Sequence, residues 1–216
     1  MEEPFCADIP PGTRLIETFG LWPGEGARRW GAHRARLIGA AARLGFACAP
    51  ERLDAAVAGL GAPVAPLRCR LTLDAGGAVE ITSAPLGPAA GRWRVALAPE
   101  RLRAADPWLR VKTTQRALYD RARAALPAGV DELVFCNTDG AICEGTITSI
   151  FVEMPDGARL TPALGCGLLP GVLRAEMLAQ GWREARLTPA DLAAARAVFV
   201  GNSLRGLIAA EWLGAL

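Results

Sequence analysis

Among the 24 basic side chains of this 216-residue chain only one is a lysine, Lys112, in the stretch from 109 to 116 that reads L-R-V-K-T-T-Q-R. An arginine stays protonated and forms no imine, whereas a lysine amine can lose its proton, act as a base and add to a carbonyl. Lys112 lies where a strand-like run passes into a helical one, with Arg110 and Arg116 close in sequence. Neighbouring cations and partial burial both disfavour an ammonium, which gives this amine a route to reactivity near neutral pH. Composition alone would also leave one lysine in a chain so rich in Ala, Arg, Gly and Pro, so the surrounding residues must decide.

A reactive amine needs an electrophile, and the chain offers a place for a phosphorylated one. In G-C-G-L-L-P-G-V-L-R, residues 165 to 174, a glycine-containing loop runs into a helix and sets the amides of Val172 and Leu173 at its positive end. No G-K-[ST] follows and the spacing is not G-x-G-x-x-G, so neither nucleotide motif applies, and taken alone the loop reads as an ordinary helix start. Glu144, in C-E-G-T-I-T-S, is an acid in an apolar strand beside a glycine that permits close approach. A solvent-facing position on a half-buried strand is its plain alternative. By pattern, Arg36 reads as part of a solvated helix face and the only histidine, His33, as a structural residue. The only tyrosine, Tyr119, follows Lys112 by seven residues, two helical turns along one face, and is expected in the core or beneath the lysine loop.

The elements that must position these residues are legible in outline. Residues 15 to 21 (L-I-E-T-F-G-L) read as a strand, W-P-G-E-G as a turn, and the following run as a helix with Leu37, Ala41 and Leu44 on one face and Gly45 as its stop. A shorter helix is expected from Glu51 to Leu60, then a hairpin around D-A-G-G. The Pro/Gly/Ala segment from 83 to 91 reads as a linker, which predicts two α+β domains, residues 1–85 and 86–216. Beyond it come the strand R-W-R-V-A-L-A, the lysine loop, and a helix capped by Thr113 that runs to Pro127. Next a meander of three strands joined by T-D-G and P-D-G turns is expected, the second strand running unbroken from Ala141 to Met154. A helix from about Gly171 to Gln180, a short helix after Thr188 and the strand A-V-F-V-G-N close the chain.

Composition narrows the classes of function. The net charge is +2, with acids and arginines interleaved, which gives no electrostatic case for nucleic acid or an anionic membrane. No apolar run reaches the length of a membrane span. The beginning, M-E-E-P, lacks the basic and apolar regions of a secretory signal, so a cytoplasmic protein is expected. The six cysteines (6, 48, 69, 136, 143 and 166) contain no C-x-x-C pair and one histidine supplies no mixed zinc site, so reduced, mostly buried thiols and no metal are expected.

Taken in order, K-T-T-Q-R-A-L-Y-D, E-G-T-I-T-S-I-F-V, L-T-P-A-L-G-C-G-L-L-P-G-V-L-R and V-F-V-G-N-S-L-R-G-L resemble the class IV aminotransferase family, the fold type IV enzymes that use pyridoxal 5'-phosphate (PLP). The resemblance covers most of the chain, from R-L-I-E-T-F onward. It implies a two-domain α+β fold with the cofactor in the interdomain cleft, and a homodimer. It also implies roles: Lys112 bonds covalently to PLP, Glu144 pairs with the pyridinium nitrogen, and Arg36, the Val172 and Leu173 amides and Ser203 hold the phosphate.

Within the family, K-T-T-x-R-x-x-Y-D and G-N-S-L-R-G-L are most similar to the 4-amino-4-deoxychorismate lyases, especially the module fused to aminodeoxychorismate synthase component I. That implies elimination of pyruvate to give 4-aminobenzoate, a step of folate biosynthesis, with the synthase as a possible partner. The rival expectations are an aminotransferase acting on branched-chain or D-amino acids, and a catalytically silent interaction protein. Two departures stand out: Ser149 replaces a common asparagine, and Ile208-Ala209-Ala210 replaces a proline-containing ending.

Overall fold

The computed structural model describes residues 8–88 and 91–215. Cys6, the M-E-E-P start and positions 89 and 90 of the expected linker lie outside them. The described chain forms two compact units. Of the described residues, unit 1 contains 8–88 together with Val111–Gln115, and unit 2 contains 91–110 and 116–215. The lysine segment, expected in the second domain, therefore packs within the first unit.

Unit 1 is a four-stranded antiparallel sheet with two helices. β1 (Leu15–Trp22) leads through β2 (Gly26–Ala27) to α1 (Trp30–Leu44), then α2 (Pro50–Ala58), β3 (Leu67–Leu73) and β4 (Val79–Pro85), in the sheet order β2-β1-β3-β4. Period-2 alternation in β1 sends Leu15, Phe19 and Leu21 into the core, where they are buried with Leu37, Ala41 and Leu44 of α1. Each such leucine contributes about 2 kcal/mol by leaving water. Gly45 ends α1 with φ 68°, as the sequence predicts. Alternation also turns Glu17 inward, leaving it 1% exposed.

Unit 2 is built on an eight-stranded mixed sheet. Its elements are β5 (Arg92–Leu102), α3 (Ala117–Ala124), β6 (Glu132–Asn137), β7 (Ile142–Gly145), β8 (Ser149–Glu153), β9 (Arg159–Pro162), α4 (Val172–Ala179), β10 (Arg183–Ala185), α5 (Pro189–Ala194), β11 (Ala197–Asn202) and β12 (Gly206–Ala215). The strand order is β10-β9-β8-β11-β12-β5-β6-β7. Alternation on β6 divides the core: Val134 and Cys136 join the cluster of Ile150, Val152, Val200 and Ile208, while Leu133 and Phe135 join that of Ala96, Leu109 and Cys143.

Three expectations are corrected. Thr113 does not cap α3; it makes an antiparallel bridge to Leu15, and α3 starts three residues later with Arg116 as an N-cap that makes no side-chain hydrogen bond. Strand pairing has claimed the residue that propensity assigned to the helix. The expected strand from Ala141 to Met154 is two strands, β7 and β8, separated by residues 146–148. They are not neighbours in the sheet, so the meander does not form. Finally, the chain continues past β11 into β12, a long strand parallel to β5 and absent from the sequence reading.

Among the described residues no helix is long and apolar enough to cross a membrane.

Candidate active site

In unit 1 the lysine is held by its backbone. Lys112 O accepts from Ile16 N at 2.8 Å, and Thr114 N donates to Arg14 O at 2.9 Å. Thr114 Oγ1 accepts from Arg14 N at 3.0 Å, and Gln115 Nε2 donates to Thr13 Oγ1 at 2.8 Å. Four hydrogen bonds within four residues turn residues 112–115 into an extra edge segment beside β1. The lysine side chain thus grows from a fixed base rather than from a loose loop.

Arg36 stands on α1, three residues after His33, so both reach the same face of the helix and the same partner. Arg36 Nε donates to Glu17 Oε1 at 2.8 Å and Nη2 to Oε2 at 2.6 Å, while His33 Nδ1 lies 2.5 Å from Oε2. Burial by itself would raise the Glu17 carboxyl, but the Arg36 charge, the hydrogen bonds from both partners and the His33 charge outweigh it and hold it at about 2. Arg36 is therefore not a solvated face residue. Glu17 was missed in the sequence, although an acid at an inward position of L-I-E-T-F was a usable signal.

In unit 2, Glu144 lies on β7 and is 8% exposed. Tyr119 of α3 donates its hydroxyl to Oε1 at 2.6 Å, and the amide of Leu169 donates to Oε2 at 3.1 Å. Burial first, then the Glu144 charge, push the Tyr119 hydroxyl well above its ordinary value, so it stays a donor. Leu169 belongs to the glycine loop that leads into α4, and this loop is tightly built: Gly167 has φ 87°, and a Cβ there would meet Ala104 Cα at 2.5 Å.

The same loop brings the remaining unit 2 candidates together. Val172 and Leu173 form the first turn of α4, whose N-cap Gly171 has no side chain to cap it. Ser149 Oγ would lie 2.8 Å from a Gly171 Cβ, so the two residues fit only because position 171 is glycine. Ser149 pairs with Gly201 on β11, and Gly201 lies against Leu173 and leads into the turn that carries Ser203. Asn202 shapes that turn, with Oδ1 accepting from Leu204 N at 3.1 Å and Arg205 N at 3.0 Å. In unit 2, Glu144 is thus tied through Leu169 to the loop that leads into Val172 and Leu173, and Leu173 packs at Gly201, two residues before Ser203, while in unit 1 Lys112 lies beside β1 and Arg36 is held to its Glu17.

A second buried carboxylate went unread in the sequence. Glu132, 0% exposed, accepts from Leu133 N (3.1 Å), Thr146 N (3.1 Å), Ile147 N (3.2 Å), Thr148 Oγ1 (3.0 Å) and the Thr146 hydroxyl. Arg116 adds a bond to Thr146 O at 2.9 Å and Asn202 one to Ile147 O at 3.3 Å. Glu132 is what breaks the expected long strand, and it fixes the backbone directly after Glu144.

The donor set suits PLP: an amine on a fixed backbone, a carboxylate whose plane is set by two donors, and an oriented guanidinium. Comparisons agree. The profile of the amino-transferase class IV family matches residues 14–211. A provisionally named amino-acid aminotransferase from Mesorhizobium loti is 44% identical, with TM-score 0.86 over 93% of this chain and 100% of that one. A provisionally named 4-amino-4-deoxychorismate lyase from Legionella pneumophila (21% identical, TM-score 0.79, covering 92% and 82% of the two chains) shares the fold. So does a branched-chain aminotransferase from Thermoproteus uzoniensis (23%, TM-score 0.81, 95% and 80%). The curated aminodeoxychorismate lyase of Saccharomyces cerevisiae is 29% identical over 135 residues, 54% of this chain, and the match spans only 36% of that relative's length. With most of its length inside the family profile, the chain belongs to the class IV aminotransferases, fold type IV enzymes that depend on PLP.

Proposed function

We propose that this protein is a 4-amino-4-deoxychorismate lyase that eliminates pyruvate and leaves 4-aminobenzoate. The observation that carries the PLP chemistry is Glu144, buried and oriented by Tyr119 and Leu169. Support for the lyase over its relatives comes from the K-T-T-Q-R-A-L-Y-D and G-N-S-L-R-G-L segments and from the activity for which the Saccharomyces relative is named.

Lys112, Arg36, Glu144, Val172, Leu173 and Ser203 are the proposed cofactor residues. When bound, PLP supplies an electron sink for the carbon that carries the substrate amine. Glu144 keeps a proton on the ring nitrogen. By the family resemblance the Val172 and Leu173 amides and the Ser203 hydroxyl would donate to the phosphate, and the Arg36 guanidinium would offset its charge. Lys112 Nζ takes the proton from the amine-bearing carbon. The ether C–O bond then breaks, the enolpyruvate takes up a proton to become pyruvate, and the ring becomes aromatic. No keto acid is consumed. By the family resemblance the working form is a homodimer, with a synthase as the supplier of substrate.

The 44% identity to the Mesorhizobium protein along its whole length favours a second reading, an amino-acid aminotransferase. Purified protein incubated with aminodeoxychorismate separates the two. Stoichiometric 4-aminobenzoate and pyruvate without a keto acid support the lyase. Turnover of a simple amino acid paired with a keto acid, without those products, supports the aminotransferase. The retained lysine, carboxylate and arginine speak against a silent interaction protein.

A further inference from the structure

We propose that Glu17 is a positioning residue for cofactor binding: its buried carboxylate sets the plane of the Arg36 guanidinium for the PLP phosphate, and His33 braces that carboxylate. The inference rests on the reading of Arg36 as a phosphate ligand and adds two residues to it.

The geometry is that of a clamp. Both Glu17 oxygens grip one edge of Arg36, Nε at 2.8 Å and Nη2 at 2.6 Å, which fixes the guanidinium plane in a way that a single contact does not. His33 Nδ1 stands 2.5 Å from Oε2, so the carboxylate is held from a second direction. The side chains of Glu17 and His33 are 1% and 0% exposed, whereas that of Arg36 is 15% exposed. The clamp is therefore inside and the cation it holds is the member that reaches outward.

Stability alone is a poor reason for this cluster. A buried ion pair often gains nothing over apolar residues of similar volume. His33 Nε2 is moreover buried with no hydrogen-bond partner among the described residues, a loss accepted while Nδ1 serves Glu17. Ionised Glu17 also offsets the charge of Arg36, so the arrangement gives up field strength. What it retains is direction, and direction is what arginine offers a phosphate: two parallel N–H donors in a rigid fork. The inference follows that Glu17 contributes to affinity through orientation of Arg36.

Binding to the apoprotein tests this without any turnover. PLP and pyridoxal differ by the phosphate, so the ratio of their affinities reads the phosphate site alone. Titrations followed by tryptophan fluorescence should show Glu17→Gln weakening PLP about tenfold, one lost charge-assisted contact, with pyridoxal changed less than about twofold. Should Glu17→Gln not fold, His33→Leu takes its place, with a smaller loss of the same ratio. An equal fall for both ligands would mean a purely structural role and would overturn the proposal, as would an unchanged or tighter PLP affinity. Arg36→Ala separates the two layers. If it leaves the ratio intact, the phosphate role of Arg36 fails and takes the inference with it; if it collapses the ratio and Glu17→Gln does not, only the role of Glu17 fails. Neither result depends on which reaction the enzyme performs.

Discussion

Tyr119 donates its hydroxyl to Oε1 of Glu144 at 2.6 Å, and its ring packs edge-on against Phe135 with centroids 5.3 Å apart. The tyrosine is thus held by a core contact while its polar end orients an acid. Tyr119→Phe keeps the packing and removes only the donor. We expect a fold that survives, a loss of about 1.5 kcal/mol in urea unfolding, and kcat lowered about tenfold. Wild-type kcat would show that Glu144 keeps its orientation without the Tyr119 donor.

Lys112→Ala removes the amine but not the backbone carbonyl that accepts from Ile16. Folding should be unchanged by circular dichroism. Activity should drop at least about a thousandfold, and the lysine-dependent visible absorbance of the PLP-loaded protein should vanish. Residual turnover near wild type would remove Lys112 as the base.

Gly145 has no room for a side chain: a Cβ would lie 2.3 Å from Thr148 Oγ1 and 2.9 Å from the Glu132 carboxyl. Gly145→Ala should therefore destabilise unit 2 by about 2–3 kcal/mol, read by denaturant melts, and lower kcat because Glu144 is the preceding residue. A variant as stable as wild type would mean that the 146–148 segment yields easily.

Acid should act through Glu17. Its carboxyl titrates at about 2 in the fold against an ordinary 4.5, so it stabilises fully above about pH 4.5 and progressively less as pH falls toward 2. The contribution at stake, that of ionised over neutral Glu17 rather than of the cluster over apolar residues, is on the order of 3 kcal/mol. Urea midpoints measured across this window should fall steeply for wild type and less steeply for Glu17→Gln. Parallel slopes would place the acid sensitivity elsewhere.

The sequence was legible where one local signal decided the outcome. Leu37, Ala41 and Leu44 with Gly45 define α1 by spacing and a stop, and the structure keeps all four in those roles. It was less legible where a distant partner decided. Thr113 has the chemistry of a cap, but Leu15, far away in the chain, takes it into a bridge. The run from Ala141 to Met154 has the pattern of one strand, and only Glu132, whose donors come from Thr146, Ile147 and Thr148, divides it. Arg36 shows the same limit at the site. Its face of the helix is polar by sequence, and although Glu17 could be noticed at an inward position of β1, only the fold pairs it with Arg36.

The pairing of residues 112–115 with β1 also sets an order on biosynthesis. A ribosome that has delivered everything up to Pro88 has delivered both helices and all four strands of unit 1, but not the edge segment that caps β1. That edge arrives only after β5 has been made, from within a unit whose remaining strands are still to come. Nascent unit 1 therefore waits with an open strand edge, and the event that closes it is the arrival of the one lysine, so Lys112 is seated at the moment the N-terminal sheet is completed.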